Sequence, residues 1–188
     1  MLVYDVEIEK LIPDKKEPND PKFEYCNGWG DHSGMGISIV GAYDFTEGVA
    51  RIFMKDNLHE LFKMMDEADR IVGFNNESFD DKIIAAAGYD IPDEKSWDLY
   101  HAIKDAADAG KYAKGYNLDN CCWVNLGMRK SGHGEMAPKL WQMGHIGTVV
   151  DYCLRDIMLT YKLLEMAMAQ PLLDPGGSGN RIFVKSPL

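Results

Sequence analysis

Three short stretches of this 188-residue chain carry carboxylates, in one case with a phenol, at spacings that could do chemistry. In "LVYDVEIE" the residues alternate with period two, so Asp5 and Glu7 share one side of a strand with Val3, while Leu2, Tyr4, Val6 and Ile8 take the other. A strand apolar on both sides is one buried on both faces. Ionised carboxylates there are expensive unless a positive group meets them, and a metal ion would serve. In "NNESFDD" Asp80 and Asp81 are adjacent, and helical neighbours point about 100° apart, so the two do not serve one ion together. In "DYCLRD" Tyr152 and Asp156 lie four residues apart, on one face of a helix. Taken singly, each stretch has an ordinary explanation. The strand acids can be a solvated face, the adjacent pair a helix first turn whose dipole favours acids, and the last pair a core tyrosine beside an exposed acid partnered by Arg155 or Lys162.

These side chains need elements to position them. After the first strand, residues 10–34 are rich in Pro, Asp, Asn and Gly and show no periodicity, which predicts a long excursion. Strands are expected at 35–43 and 48–54, joined by a turn at 44–47. Leu58, Leu61, Phe62 and Met65 predict a helix capped by Asp56 and reaching about Asp66. "IVGF" (71–74) reads as a short buried strand, and "NNESFDDKIIAAAGYDIP" as a loop entering a helix that stops near Gly88. A further short strand at 96–100 and helices at 101–109 and 118–126 follow. The last helix is expected to start at Thr148 and end before Pro171, with Val149, Cys153, Ile157, Leu164 and Met168 as its buried stripe. The tail reads as a flexible loop with one short strand; it lacks the G-x-x-x-x-G-K-[ST] pattern of a phosphate loop.

Composition narrows the function classes. A chain that is 46% hydrophobic at this length supports one α/β domain. No apolar run is long enough to cross a bilayer and the start "MLVYDVEIEK" has no signal-peptide character, so a cytoplasmic protein without membrane contact is expected. Cys26, Cys121, Cys122 and Cys153 show no C-x-x-C pair and read as reduced, buried thiols. His32, His59, His101, His133 and His145 show neither H-x-x-x-H nor H-E-x-x-H spacing, which argues against a histidine metal site. With 30 acids against 20 bases, the net charge of -10 argues against a broad duplex-coating face. It leaves room for a nuclease, because carboxylates filled by divalent cations present the metal's charge to a phosphate. Residues 104–139 hold six bases and four acids. They read as a solvated loop ahead of a segment that tracks a nucleic-acid strand.

Read together, the three stretches resemble the DnaQ-like 3′–5′ exonucleases of the ribonuclease H-like superfamily, in the subgroup named for four acids and a tyrosine (DEDDy). "DVE" matches the family's D-x-E on its first strand, "NNESFD" its N-x-x-x-F-D, and "YCLRD" its Y-x-x-x-D on a late helix. "YNLDNCCWVNLG" looks like the family's helix before the third motif, so the resemblance covers about residues 1–165. The histidine subgroup would need His five positions before Asp156, where Asp151 stands. The resemblance departs at the excursion 10–34, which is longer than a tight hairpin and suits a lid, a substrate guide or a partner surface. It leaves the tail beyond Gln170 unmatched.

The resemblance implies an α/β, ribonuclease H-like fold, a central mixed β-sheet flanked by α-helices, with the exonuclease domain over 1–170 and a C-terminal tail over 171–188. It implies that Asp5, Glu7, Asp80 and Asp156 hold two divalent ions, Mg²⁺ or Mn²⁺, with Asp5 bridging. Tyr152 would stay neutral and orient the attacking water, while Asn75 and Phe79 would contact the terminal nucleotide. For Phe79, ordinary core packing is an equal alternative. The substrate expected is the 3′ end of single-stranded DNA, ahead of RNA, with nucleoside 5′-monophosphates released; a separate polymerase chain is a candidate partner. Two alternatives stay open, an exoribonuclease of the same chemistry and a non-catalytic module that binds nucleic acid or a polymerase.

Overall fold

The computed structural model describes residues 1–14, 16–132 and 134–188; Lys15 of the excursion and His133 lie outside the described residues. In chain order the elements are β1 (Leu2–Ile8), α1 (His32–Met35), β2 (Ile37–Asp44), β3 (Val49–Phe53), α2 (Leu58–Glu67), β4 (Ile71–Gly73), α3 (Asp80–Ala86), β5 (Ser96–Asp98) and α4 (Leu99–Ala106). They continue with α5 (Leu118–Leu126), α6 (Ala137–Gln142), α7 (Ile146–Ala169), β6 (Leu172–Leu173) and β7 (Arg181–Ile182).

The first five strands form one mixed sheet in the order β3-β2-β1-β4-β5. β1 lies at its centre, antiparallel to β2 and parallel to β4. Its alternation sorts the side chains as the sequence predicts. Leu2, Tyr4, Val6 and Ile8 pack with Leu61 and Met65 of α2 and Ile83 and Ile84 of α3. Val3, on the opposite face, packs with Leu99 and Ile103 of α4, Cys121 and Cys122 of α5, and Leu159 and Leu163 of α7. Helices therefore cover both faces, as a central strand apolar on both sides requires. The arrangement is α/β and consistent with the ribonuclease H-like fold. Among the described residues no helix is long and apolar enough to cross a membrane.

Several boundaries differ from expectation for local reasons. Asn57, not Asp56, precedes α2, and its Oδ1 accepts from Met54 N rather than from the helix. The strand expected at 96–100 stops at Asp98, whose Oδ1 accepts Tyr100 N at 2.9 Å and so starts α4 at Leu99. α7 begins at Ile146, and Thr148 is inside its first turn, donating its N–H to His145 O. Met168 is exposed and Ala167 takes the buried place near that end. Among its described residues the excursion holds α1 and a bridge between Leu11 and Tyr25, while Gln142 of α6 pins it through Glu9 O and Glu24 O. The tail is not a loose loop: β6 and β7 pair as a hairpin, and Leu172 and Ile182 are buried against the α5–α7 side.

Candidate metal centre and groove

β1 pairs with β2 so that Asp5 faces Gly41 and Glu7 faces Ile39 across the ladder. α7 crosses this face closely. A Cβ on Gly41 would lie 2.7 Å from Cys153 Sγ, so the missing side chain lets the helix approach the sheet. One carboxylate oxygen each from Asp5 and Glu7 and the Cys153 sulfur lie within 4.8 Å of one another.

Asp80 arrives from the opposite side. β4 ends at Gly73, after pairing with Leu2 and Val3 only, which leaves the rest of that edge of β1 without a strand partner. Asp80, the first residue of α3, fills the gap with its Oδ1, which accepts Val6 N at 2.9 Å. Its neighbour Asp81 turns elsewhere and accepts from the Tyr4 hydroxyl, Asn76 Nδ2 and Ser96 Oγ. Of the adjacent acids, Asp80 acts on Asp5 and Glu7, and Asp81 anchors the 3₁₀ turn Asn76–Ser78 through Asn76.

α7 contributes Tyr152 and Asp156, one turn apart and both buried. Among the described residues Asp156 Oδ1 has no hydrogen-bond partner, while Oδ2 lies 2.5 Å from Lys130 Nζ. Lys130 comes from the connection between α5 and α6, and its Nζ stands 5.2 Å from the Tyr152 ring centre. The helix neighbour Arg155 does not pair with Asp156; it donates to Arg129 O. Nothing in residue spacing marks Lys130. The available signal was that a buried acid cluster needs a cation and that residues 104–139 carry the surplus of bases.

Burial first, and mutual repulsion second, lift these acids. Asp5 and Glu7 are held well above the usual carboxylate range by desolvation and by neighbouring carboxylates, with Lys130 opposing. Desolvation pushes Asp80 up to about 7 against the hydrogen bond from Val6. Asp156 is raised by burial although Lys130 pulls it down. Burial alone would lower Lys130, yet Asp156, Asp5 and Glu7 carry it above the ordinary lysine value. The Tyr152 phenol is raised by burial and the same acids, so it is a neutral hydroxyl. The Cys153 thiol is likewise raised and stays protonated, its Sγ donating to Asp5 O at 3.8 Å. Hard carboxylate oxygens crowded against their charge, together with a buried oxygen of Asp156 that meets no hydrogen-bond partner among the described residues, suit a hard divalent cation. A soft sulfur is a poorer ligand for such an ion than these oxygens.

An open groove of about 650 Å³ leads away from Asp5, lined by Asn75, Tyr100, Lys114, Tyr116 and Lys130. A second hollow of about 390 Å³ shares Asn75 and Tyr100 and adds Lys104 and Lys111. Asn75 holds a left-handed backbone, φ 65°, and its N–H donates to Asp98 Oδ1 at 2.8 Å. Phe79 packs partly against the core under α3 and meets the exposed Trp29 of the excursion edge-on at 6.1 Å. Glu77, Asp98 and His101 form another close group. Asp98 there caps α4 and His101 Nδ1 lies 3.0 Å from Glu77 Oε2, which accounts for the grouping without an ion.

No family model matches the sequence, and none of the curated proteins does. The structure is similar to that of the family B DNA polymerase from the hyperthermophilic archaeon Pyrobaculum calidifontis, with a TM-score of 0.59 and 18% identity. The match covers 87% of this chain but 24% of the polymerase chain, so the present chain spans about a quarter of that length. At this identity the likeness is one of fold: a mixed α/β sheet flanked by helices.

Proposed function

We propose that the chain is a metal-dependent 3′–5′ exonuclease that hydrolyses the terminal phosphodiester of single-stranded DNA and releases nucleoside 5′-monophosphates. The observation that supports it is the gathering of Asp5 and Glu7 from β1, Asp80 from α3, and Tyr152 and Asp156 from α7, with Asp5 opening on the groove. Asp5, Glu7, Asp80 and Asp156 would hold two divalent ions. Such a pair supplies a more acidic attacking water and neutralises charge on the leaving 3′ oxygen. Tyr152, a neutral hydroxyl, would hold that water in line; the raised phenol makes it a poor base. Asn75 would meet the terminal nucleotide in the groove, with the ring of Tyr100 offering flat apolar surface to bases. The likeness to a polymerase chain also supports a nucleic-acid substrate and makes a separate polymerase the candidate partner.

The experiment is digestion of 5′-labelled DNA and RNA oligomers side by side with Mn²⁺. Products shortening one nucleotide at a time on DNA, abolished by Asp5→Ala, are expected. Faster shortening of RNA reassigns the substrate, and tight binding without digestion removes the enzyme reading.

A further inference from the structure

We propose that Lys130 is the resident counter-cation of the acidic site, exchanged for metal: its ammonium holds Asp156 in the metal-free protein and swings into the groove when a divalent ion takes that carboxylate. The inference rests on the metal-dependent reading above. Lys130 is held in place from both flanks. Its backbone N–H donates to Asp119 Oδ1 at 2.9 Å, and the preceding carbonyl, Arg129 O, accepts Arg155 Nε and Nη2 at 3.1 and 2.9 Å. Arg129 itself pairs with Asp119 at 2.5 Å and lies over the Trp123 ring at 4.5 Å. With α5 and α7 gripping the backbone, only the four-carbon stem of Lys130 needs to turn.

Asp156 is divided between two states. Lys130 takes its Oδ2, and its Oδ1 is buried with no hydrogen-bond partner among the described residues, so one oxygen is available to an ion and the other is blocked. The stem also has somewhere to go. Lys130 lines the same groove as Asp5, Asn75 and Lys114, and its side chain is 25% exposed. A fixed positive charge beside the ion site opposes a divalent cation while it relieves the packed carboxylates. Lys130 therefore stabilises the metal-free fold and weakens metal binding, and once released it stands where a substrate phosphate would pass.

The test is Mn²⁺ titration calorimetry and thermal melting on the wild type and on Lys130→Met, which keeps the stem and removes the charge. The variant is expected to melt lower without metal and to bind Mn²⁺ about tenfold or more tightly. A merely structural lysine would leave or weaken the affinity, and either result overturns the exchange. Should the wild type bind no Mn²⁺, the metal-dependent function falls and the exchange with it; a wild type that binds while the variant is unchanged sinks the exchange alone. Acetylation of Lys130 in the wild type, read by mass spectrometry, needs no variant. Its rate is expected to rise when Mn²⁺ is added, and an equal or lower rate contradicts the release.

Discussion

Tyr152 shows how one hydroxyl can be separated from the ring that carries it. The ring packs with Ile39, Ala137 and Val149, so Tyr152→Phe keeps the packing and removes only the oxygen. If the hydroxyl holds the attacking water, kcat falls by about a hundredfold, while KM and Mn²⁺ affinity stay as in the wild type. Single-turnover digestion with both proteins checks this; unchanged turnover removes Tyr152 from the chemistry. The faces of these residues were legible in the sequence because they follow from period: two residues apart on β1, four apart on α7. The partner of Asp156 was not. Spacing along the helix pointed to Arg155 or Lys162, but Arg155 is spent on Arg129 O, and the cation comes from Lys130 on a loop. A pair made through space between a loop and a helix leaves no periodic trace.

At the scale of elements, the seating of α7 on β2 decides whether Tyr152 and Asp156 reach β1. Gly41 stands at the crossing, where a methyl group would sit 2.7 Å from Cys153 Sγ and 3.3 Å from Ile157 Cγ2, both fully buried. Gly41→Ala must push the helix away, because neither neighbour has free space. Overpacking of this kind costs about 1–3 kcal/mol, and a shift of about 1 Å at a catalytic group can cost about a hundredfold in rate. Gly41→Ala is therefore expected to lower the urea midpoint and to lose more activity than stability. An unchanged midpoint in urea unfolding would show that the helix does not bear on this point. Long elements such as β1, α5 and α7 were readable because many residues repeat the period. Short ones were not: the two-residue strands β6 and β7 hold too little pattern, and the start of α4 was set by Asp98, whose capping role a strand-like reading hid.

Over the whole molecule, the tail joins the groove to the core. Leu172 and Ile182 are buried, and Asn125 of α5 holds the hairpin through both its side-chain oxygen and nitrogen, to Leu173 N and O. Tyr116, on the groove wall, donates to Asp174 Oδ1 at 2.8 Å. Asn120 Nδ2 joins Gly115 O to Pro175 O at 2.8 and 2.9 Å. The tail thus braces one wall of the groove, while the acids sit on β1, α3 and α7. Ending the chain at Gln170 removes two buried aliphatic side chains worth about 1.5–3 kcal/mol each, so the melting temperature should fall by roughly 6–24 °C. The groove wall loses its braces at Tyr116 and Gly115, yet the acidic site keeps its own elements. Below the lowered melting point the shortened chain should therefore show a raised KM for oligonucleotide with kcat largely kept. Melting curves and initial rates across oligonucleotide concentrations measure both. A KM equal to that of the full chain would place the strand elsewhere than along this wall, and a collapse of kcat with unchanged KM would mean that the tail supports the acids rather than the groove.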